Sequence, residues 1–267
     1  MSTTTNMAII TFITNNPYYV LLALSTAVAA GILGAFAVMR RMALASDPIS
    51  HIALPGLGLA LLLKINPLIG AAATLLVGAL LIWSFEKRTG IATETLIGVV
   101  FSLALAIGSI VTSGEELIDA LLGNYSNVSP TGFFVGIAVV IAIVAFLLAK
   151  RQELTLAILS PDLAKTSGVA TDRLNLYFLL AFVATVLLGL RFVGVLLMGS
   201  LVIIPAAVAK NLARSMRGMI TIGAAVAVAS VLAGLAGAIY LHLPTGPAIV
   251  TVAAAIFILS LLKKQRD

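Results

Sequence analysis

Long apolar stretches, separated by short polar ones, fill the chain from residue 17 to residue 262. A helix that crosses a bilayer needs roughly 20 mainly apolar residues, with a usual range of about 17–25. Nine stretches fit: 17–39, 44–63, 67–85, 94–112, 131–149, 174–190, 193–209, 218–240 and 247–262. The pattern predicts an all-α, polytopic transmembrane helical bundle. Around Arg191 the run "LLGLRFVGVLL" reads either as a turn between two spans or as a break inside one bent segment, so the prediction is eight or nine spans. Residues 17–262 then form a single transmembrane domain, preceded by a polar or interfacial segment, 1–16, and followed by a short basic tail, 263–267. The first sixteen residues carry no Lys or Arg and so lack the positive n-region of a secretory signal.

Composition agrees with a membrane protein: 61% of residues are hydrophobic and 10% charged, against roughly 45–50% and about 25% in a typical globular domain. The net charge of +6 would suggest a nucleic-acid partner only if the basic residues formed a patch. They follow topology instead. Lys and Arg collect in short cytoplasmic loops. With nine spans and the N-terminus outside, the cytoplasmic side receives Arg40, Arg41, Lys87, Arg88, Lys150, Arg151, Lys165, Arg173, Lys210, Arg214, Arg217, Lys263, Lys264 and Arg266, leaving only Lys64 and Arg191 outside. This bias places the C-terminus inside, with no role for nucleic acid. The 113–130 loop, which carries Glu115, Glu116 and Asp119, then lies outside. Cysteine is absent, so any metal chemistry must use oxygen and imidazole.

The longest cytoplasmic connection, 150–173, contains "SPDLAKTSG". It reads as a short helix with Ser160 or Asp162 near its N-cap, Pro161 in its first turn and Gly168 as its stop. Such an element is either a docking helix or an ordinary surface helix.

Asp47 and His51 stand four residues apart in "SDPISHIALPG", so on a helix they share one side. Asp47 before Pro48 also suits an N-cap followed by proline at the first helical position, and a lone histidine is often bonded to a nearby carbonyl. The pair changes that balance, because ionisable groups inside a membrane are rare and usually face a cavity. Carboxylate oxygen with imidazole nitrogen suits zinc, manganese or ferrous iron. Two ligands under-coordinate such an ion; a second copy related by a two-fold axis would supply two more. Pro55 and Gly56, one turn on, could bend the helix beside the pair. His242, in "YLHLPTGP", is the only other histidine, either an outer ligand or an interfacial side chain. Glu94 opens a span, where a carboxylate complements the helix dipole.

The chain has no G-x-x-x-x-G-K-[ST] phosphate loop, no G-x-S-x-G elbow and no H-E-x-x-H pair. Nucleotide hydrolysis, if it drives this protein, takes place on another chain.

Taken together, "RRMALASDPISHIALPGLGLALLL" (40–63), "LSPDLAKTSGVATDRLNLY" (159–177), "RFVGVLLMGSLVIIPAAVAKNLARSM" (191–216) and "LPTGPAIVTVAAAIFILSLLKK" (243–264) resemble the membrane subunit of ABC-type zinc, manganese and iron importers, most closely the zinc permease branch. The resemblance implies a multi-pass transport subunit of a prokaryotic cytoplasmic (inner) membrane that is not itself an enzyme. It implies a homodimeric permease, a dimer of cytoplasmic ATPase subunits and an extracytoplasmic metal-binding protein that delivers the ion. No cofactor is permanently bound; the cargo is a divalent metal, Zn2+ first, with Mn2+ or Fe2+ as alternatives. Asp47 and His51 match the family's metal-coordinating aspartate and histidine. Residues 160–169, with Pro161, Asp162, Leu163, Ala164, Lys165 and Gly168, match the helix that docks into the ATPase, and 205–217 a second cytoplasmic contact. His242 departs from the family's aspartate before L-P-x-G. Two other readings compete: a permease for cobalamin or chelated iron, and an ion-coupled carrier acting alone.

Overall fold

The computed structural model describes residue 12 and residues 14–42, 45–111, 128–195 and 197–264. Most of the 1–16 segment, the acidic part of the 113–130 loop and residues 265–267 of the tail lie outside the described residues. The described residues form twelve helices and no strand. In chain order these are α1 (Pro17–Met39), α2 (Ser46–His51), α3 (Leu54–Leu62), α4 (Pro67–Thr89), α5 (Thr93–Val111), α6 (Pro130–Ala149), α7 (Arg151–Leu159), α8 (Pro161–Thr166), α9 (Thr171–Val193), α10 (Met198–Leu212), α11 (Met216–Leu241) and α12 (Thr245–Lys264).

Seven of them, α1, α4, α5, α6, α9, α11 and α12, are long and apolar enough to cross a membrane. The expected eight or nine spans are therefore corrected to seven full-length helices. The 44–63 stretch is not one helix: Ile52 and Ala53 turn back onto the carbonyls of Ile49 and Ser50 at 3.2 Å, three residues away rather than four, and this tightening separates α2 from α3. Pro55 has no N–H to offer the carbonyl of His51, so an unbroken helix could not be fully bonded here. The 193–209 stretch is shortened to the 15 residues of α10 because Gly194, at φ 82° and ψ 169°, ends α9. Arg191 thus lies in the last turn of α9, and the break comes after it.

Both interrupted stretches still connect opposite ends of the bundle. Asn175, at the start of α9, bonds both Arg40, just past α1, and Glu86, near the end of α4. The chain leaves this end at residue 42 and re-enters α4 at Pro67, roughly 30 Å away by the helical rise. Likewise Thr245 Oγ1 donates to the carbonyl of Phe192 at 2.9 Å, while Asn211 Nδ2 donates to Ser260 Oγ at 3.2 Å. Residues 193–212 therefore run the length between the two ends of α12.

α1 is the hub, with 78% of its most apolar window buried against 22% for α6. Lipid supplies no hydrophobic drive between helices, so close backbone approach at small residues replaces it. A Cβ on Gly31 would lie 2.5 Å from the carbonyl oxygen of Gly223 in α11, and one on Gly34 would lie 2.1 Å from that of Val202 in α10. α3 and α4 cross in the same manner at Gly56 and Gly70. The α4, α5 and α6 surfaces expose large apolar side chains such as Leu76, Val99, Leu103 and Phe134, as a lipid-facing perimeter requires.

Candidate functional site

α2 carries the Asp47 and His51 pair. The helix begins with Ala45 as its N-cap, so Asp47 sits in the first turn and caps nothing with its side chain. This corrects the capping expectation. The local polar contact is made by Ser50 instead, whose Oγ donates to the Asp47 carbonyl at 2.7 Å. With no capping work, the carboxylate points along the helix face, its Oδ2 lying 3.7 Å from His51 Nε2. That exceeds the about 2.7–3.2 Å of a hydrogen bond. It is also shorter than the sum of a zinc–nitrogen and a zinc–oxygen bond, about 4.0–4.3 Å, so one cation can touch both atoms. Half of the Asp47 side chain is accessible, against 13% for His51. The imidazole is buried on one side, where Nδ1 has no hydrogen-bond partner among the described residues, and its ring centroid lies 5.7 Å from that of Phe101, the two planes tilted by 50°. Phe101 is eight residues into α5, roughly 12 Å along that helix, which sets the pair within the bundle rather than at its rim.

The backbone of α2 is held from behind by α10. A Cβ on Gly199 would come within 2.6 Å of the Asp47 Cα and 2.7 Å of its nitrogen. Only glycine lets α10 seat there.

A second polar cluster closes one end of the bundle. The Arg40 guanidinium donates from Nη1 to Asn175 Oδ1 at 2.7 Å, Asn175 Nδ2 donates to Glu86 Oε2, and Thr93 Oγ1 donates to Glu86 Oε1 at 2.5 Å. Arg40 also lies over the ring of Phe178, 4.4 Å from its centroid. Burial lowers Arg40 well below the usual arginine range, to about 10, against the Glu86 carboxylate, which raises it; the group stays charged at neutral pH. Beside this cluster opens a cavity of about 680 Å³ whose lining includes Arg40, Glu86, Glu94 and Asn175 together with Pro161 and Lys165 of α8. α8 is the short helix of the 150–173 connection. Ser160 is its N-cap, accepting from Leu163 N at 3.4 Å, and Pro161 is its first residue. Gly168, at φ +82°, lies just past its end. Ala164 is fully buried, whereas Leu163 is exposed.

Residues 16–264 match the ABC 3 transport family. The chain belongs to this family. The permease is 32% identical over 242 residues to the high-affinity zinc uptake system membrane protein ZnuB of Haemophilus influenzae, covering 88% of this chain and 92% of that one. It is 31% identical over 245 residues to the manganese import system permease protein ScaB of Streptococcus gordonii, covering 90% and 88%. Among solved structures it superposes on PsaBC from Streptococcus pneumoniae, in complex with Fab, with a TM-score of 0.79 at 28% identity over 92% of each chain.

In the permease, Asp47 and His51 meet, and His242 does not join them. His242 is the C-cap of α11, left-handed at φ 54° and ψ 40°, exposed, next to the Thr245–Phe192 contact at the end away from α8. Among the described residues no three His, Asp or Glu side chains form a metal-holding group. Sequence reading missed Gly199 and the Arg40–Asn175–Glu86–Thr93 cluster. A signal existed for the latter: Glu86 and Asn175 are polar residues at the edges of apolar runs.

Proposed function

We propose that this permease forms, as a homodimer, the translocation path of an ATP-driven importer of divalent transition metal, with zinc as the cargo. The observation that carries this reading is the α2 pair: an oxygen and a nitrogen donor 3.7 Å apart, one part-exposed and the other with a buried unpaired nitrogen. An unpaired buried polar atom costs about 1–3 kcal/mol, a cost that a structural histidine would have no reason to carry. The pair supplies two ligands, and a second copy would complete a four-ligand site. Zinc and manganese permeases both stand among the relatives; neutral imidazole favours zinc of the two. In this reading the end that holds Arg40, Lys87, Lys165 and α8 faces the cytoplasm, with the N-terminus outside and the C-terminus inside. α8, through Pro161, Asp162, Leu163, Ala164, Lys165 and Gly168, docks on a dimer of ATPase subunits. An extracytoplasmic metal-binding protein delivers the ion to the opposite end, where His242 is exposed. The path carries the bare cation, which distinguishes it from a cobalamin or chelated-iron permease, since those need no coordinating side chains.

The test is ATP-driven uptake by vesicles holding the permease, its ATPase and its binding protein, run across Zn2+, Mn2+ and Fe2+. Zinc-selective uptake that disappears in Asp47→Asn and in His51→Gln, with the complex still assembled, is the expected result. Wild-type uptake in both variants would sink the assignment.

A further inference from the structure

The Arg40–Asn175–Glu86–Thr93 cluster stands where three routes through the chain converge. From Arg40 the backbone runs directly to Asp47, within seven residues. From Thr93, α5 runs up to Phe101, whose ring lies against that of His51. From Asn175 the chain runs back four residues to the start of α9 and from there, through the turn at Gly168, to α8. Among the described residues, Asn175 is the one side chain that bonds both charged partners. Its amide oxygen accepts from Arg40 and its amide nitrogen donates to Glu86, a two-sided role that neither Asp nor Leu can fill. The adjoining cavity of about 680 Å³ separates α8 from the cluster. α8 packs on the start of α9, so its displacement has a route to α1 and α4 through the first turn of α9, beside the packing of α7 on α1. Trp83 strengthens that connection, donating from Nε1 to the Asp172 carbonyl at 2.9 Å.

Stability alone is a poor reason to keep such a cluster, since replacing a buried ionic group with apolar side chains of similar volume is often neutral or stabilising. A polar group that joins elements in one defined arrangement is better suited to a two-state junction. We propose that Asn175, bridging Arg40 and Glu86, is the positioning residue through which movement of the α7–α8 segment sets the conformation of the Asp47/His51 segment. This rests on the importer reading above.

The experiment uses the complete reconstituted complex and reads three quantities: the rate of ATP hydrolysis, Zn2+ taken up per ATP, and the labelling rate of a cysteine introduced by Leu59→Cys. Leu59 is exposed on α3, and the chain has no cysteine of its own, so label found on the permease band, separated from its partners on a denaturing gel, reports the α2–α3 unit. In Asn175→Leu, Zn2+ uptake per ATP should fall about tenfold, within the range of single-residue effects on coupling. ATP hydrolysis and equilibrium Zn2+ binding should persist, and the nucleotide-dependent change in labelling should vanish. The variant Arg40→Met/Glu86→Leu/Asn175→Leu removes every unpaired charge; it should recover thermal stability without recovering uptake per ATP. Recovery of both shows a merely structural cluster and overturns the proposal, as does a proportional fall of hydrolysis and uptake in Asn175→Leu. If the triple variant does not accumulate, Thr93→Val decides: a lowered uptake per ATP supports the junction, and an unchanged one overturns it. Should the wild-type complex move no metal, the importer reading fails, while the labelling change, kept or lost in Asn175→Leu, still decides the role of Asn175.

Discussion

Two polar sites lie seven residues apart in the chain and differ in how fully their atoms are bonded. At the Arg40 junction both Glu86 oxygens accept, the Asn175 amide is used at both ends, and the guanidinium has an amide oxygen and an aromatic face. At the α2 pair the carboxylate and imidazole stand too far apart for a hydrogen bond, and one ring nitrogen is buried without a partner. Satisfied polar groups stabilise a fold, and unsatisfied ones are retained for something that comes and goes. On the readings proposed above, the contrast separates a fully bonded junction between helices from a pair whose open positions suit a passing ion.

The widest separation is expected from the pair itself. Even outer-shell partners of a metal are worth about 10–100-fold in affinity, so Asp47→Asn or His51→Gln should lower Zn2+ uptake by at least that. The melting temperature should hardly move, because no hydrogen bond is lost at His51. A large drop in melting temperature would erase the contrast. Glu86→Gln tests the other side. Hydrogen bonds to a charged group are worth about 1.5–3 kcal/mol; at this partly buried site the loss should fall near the lower figure, read as a lowered unfolding midpoint of the purified permease with Zn2+ binding kept. Gly199→Ala lies between the two regions: its Cβ would press on the Asp47 backbone, and overpacking costs about 1–3 kcal/mol. Zn2+ binding should weaken severalfold with little change at the Arg40 end. The smallest effect is expected from Ser160→Ala, which removes one N-cap bond worth about 0.5–2 kcal/mol in other helices. The long 3.4 Å contact places it at the low end, visible as faster hydrogen exchange across α8.

Hydropathy alone predicted the helical bundle, because twenty apolar residues in lipid have few alternatives to a helix. It miscounted the full-length spans for a definite reason: averaging over a window registers that 44–63 is apolar and is blind to where its hydrogen-bond ladder stops. Pro55 held that information, four residues after His51. The spacing of Asp47 and His51 was legible because a helix makes four-residue neighbours meet wherever it lies. Arg40 and Asn175, 135 residues apart, have no such rule to join them, and neither have Gly199 and Asp47. One sequence carries the local periodicities and is silent on which distant faces touch.

The central placement of α1 bears on how the protein is made. α1 is synthesised before every other described helix, yet its close neighbours Gly223 in α11 and Val202 in α10 follow it by more than 160 residues. Until then the helix must persist in lipid with its eventual contact surface uncovered. Its sequence permits the wait: from Pro17 to Met39 it has no charged residue, and Ser25 donates its hydroxyl back to the carbonyls of Leu21 and Leu22. A charge placed on the Gly31–Gly34 face would therefore act twice, first by opposing residence of the newborn helix in the membrane and then by blocking the late arrival of α10 and α11.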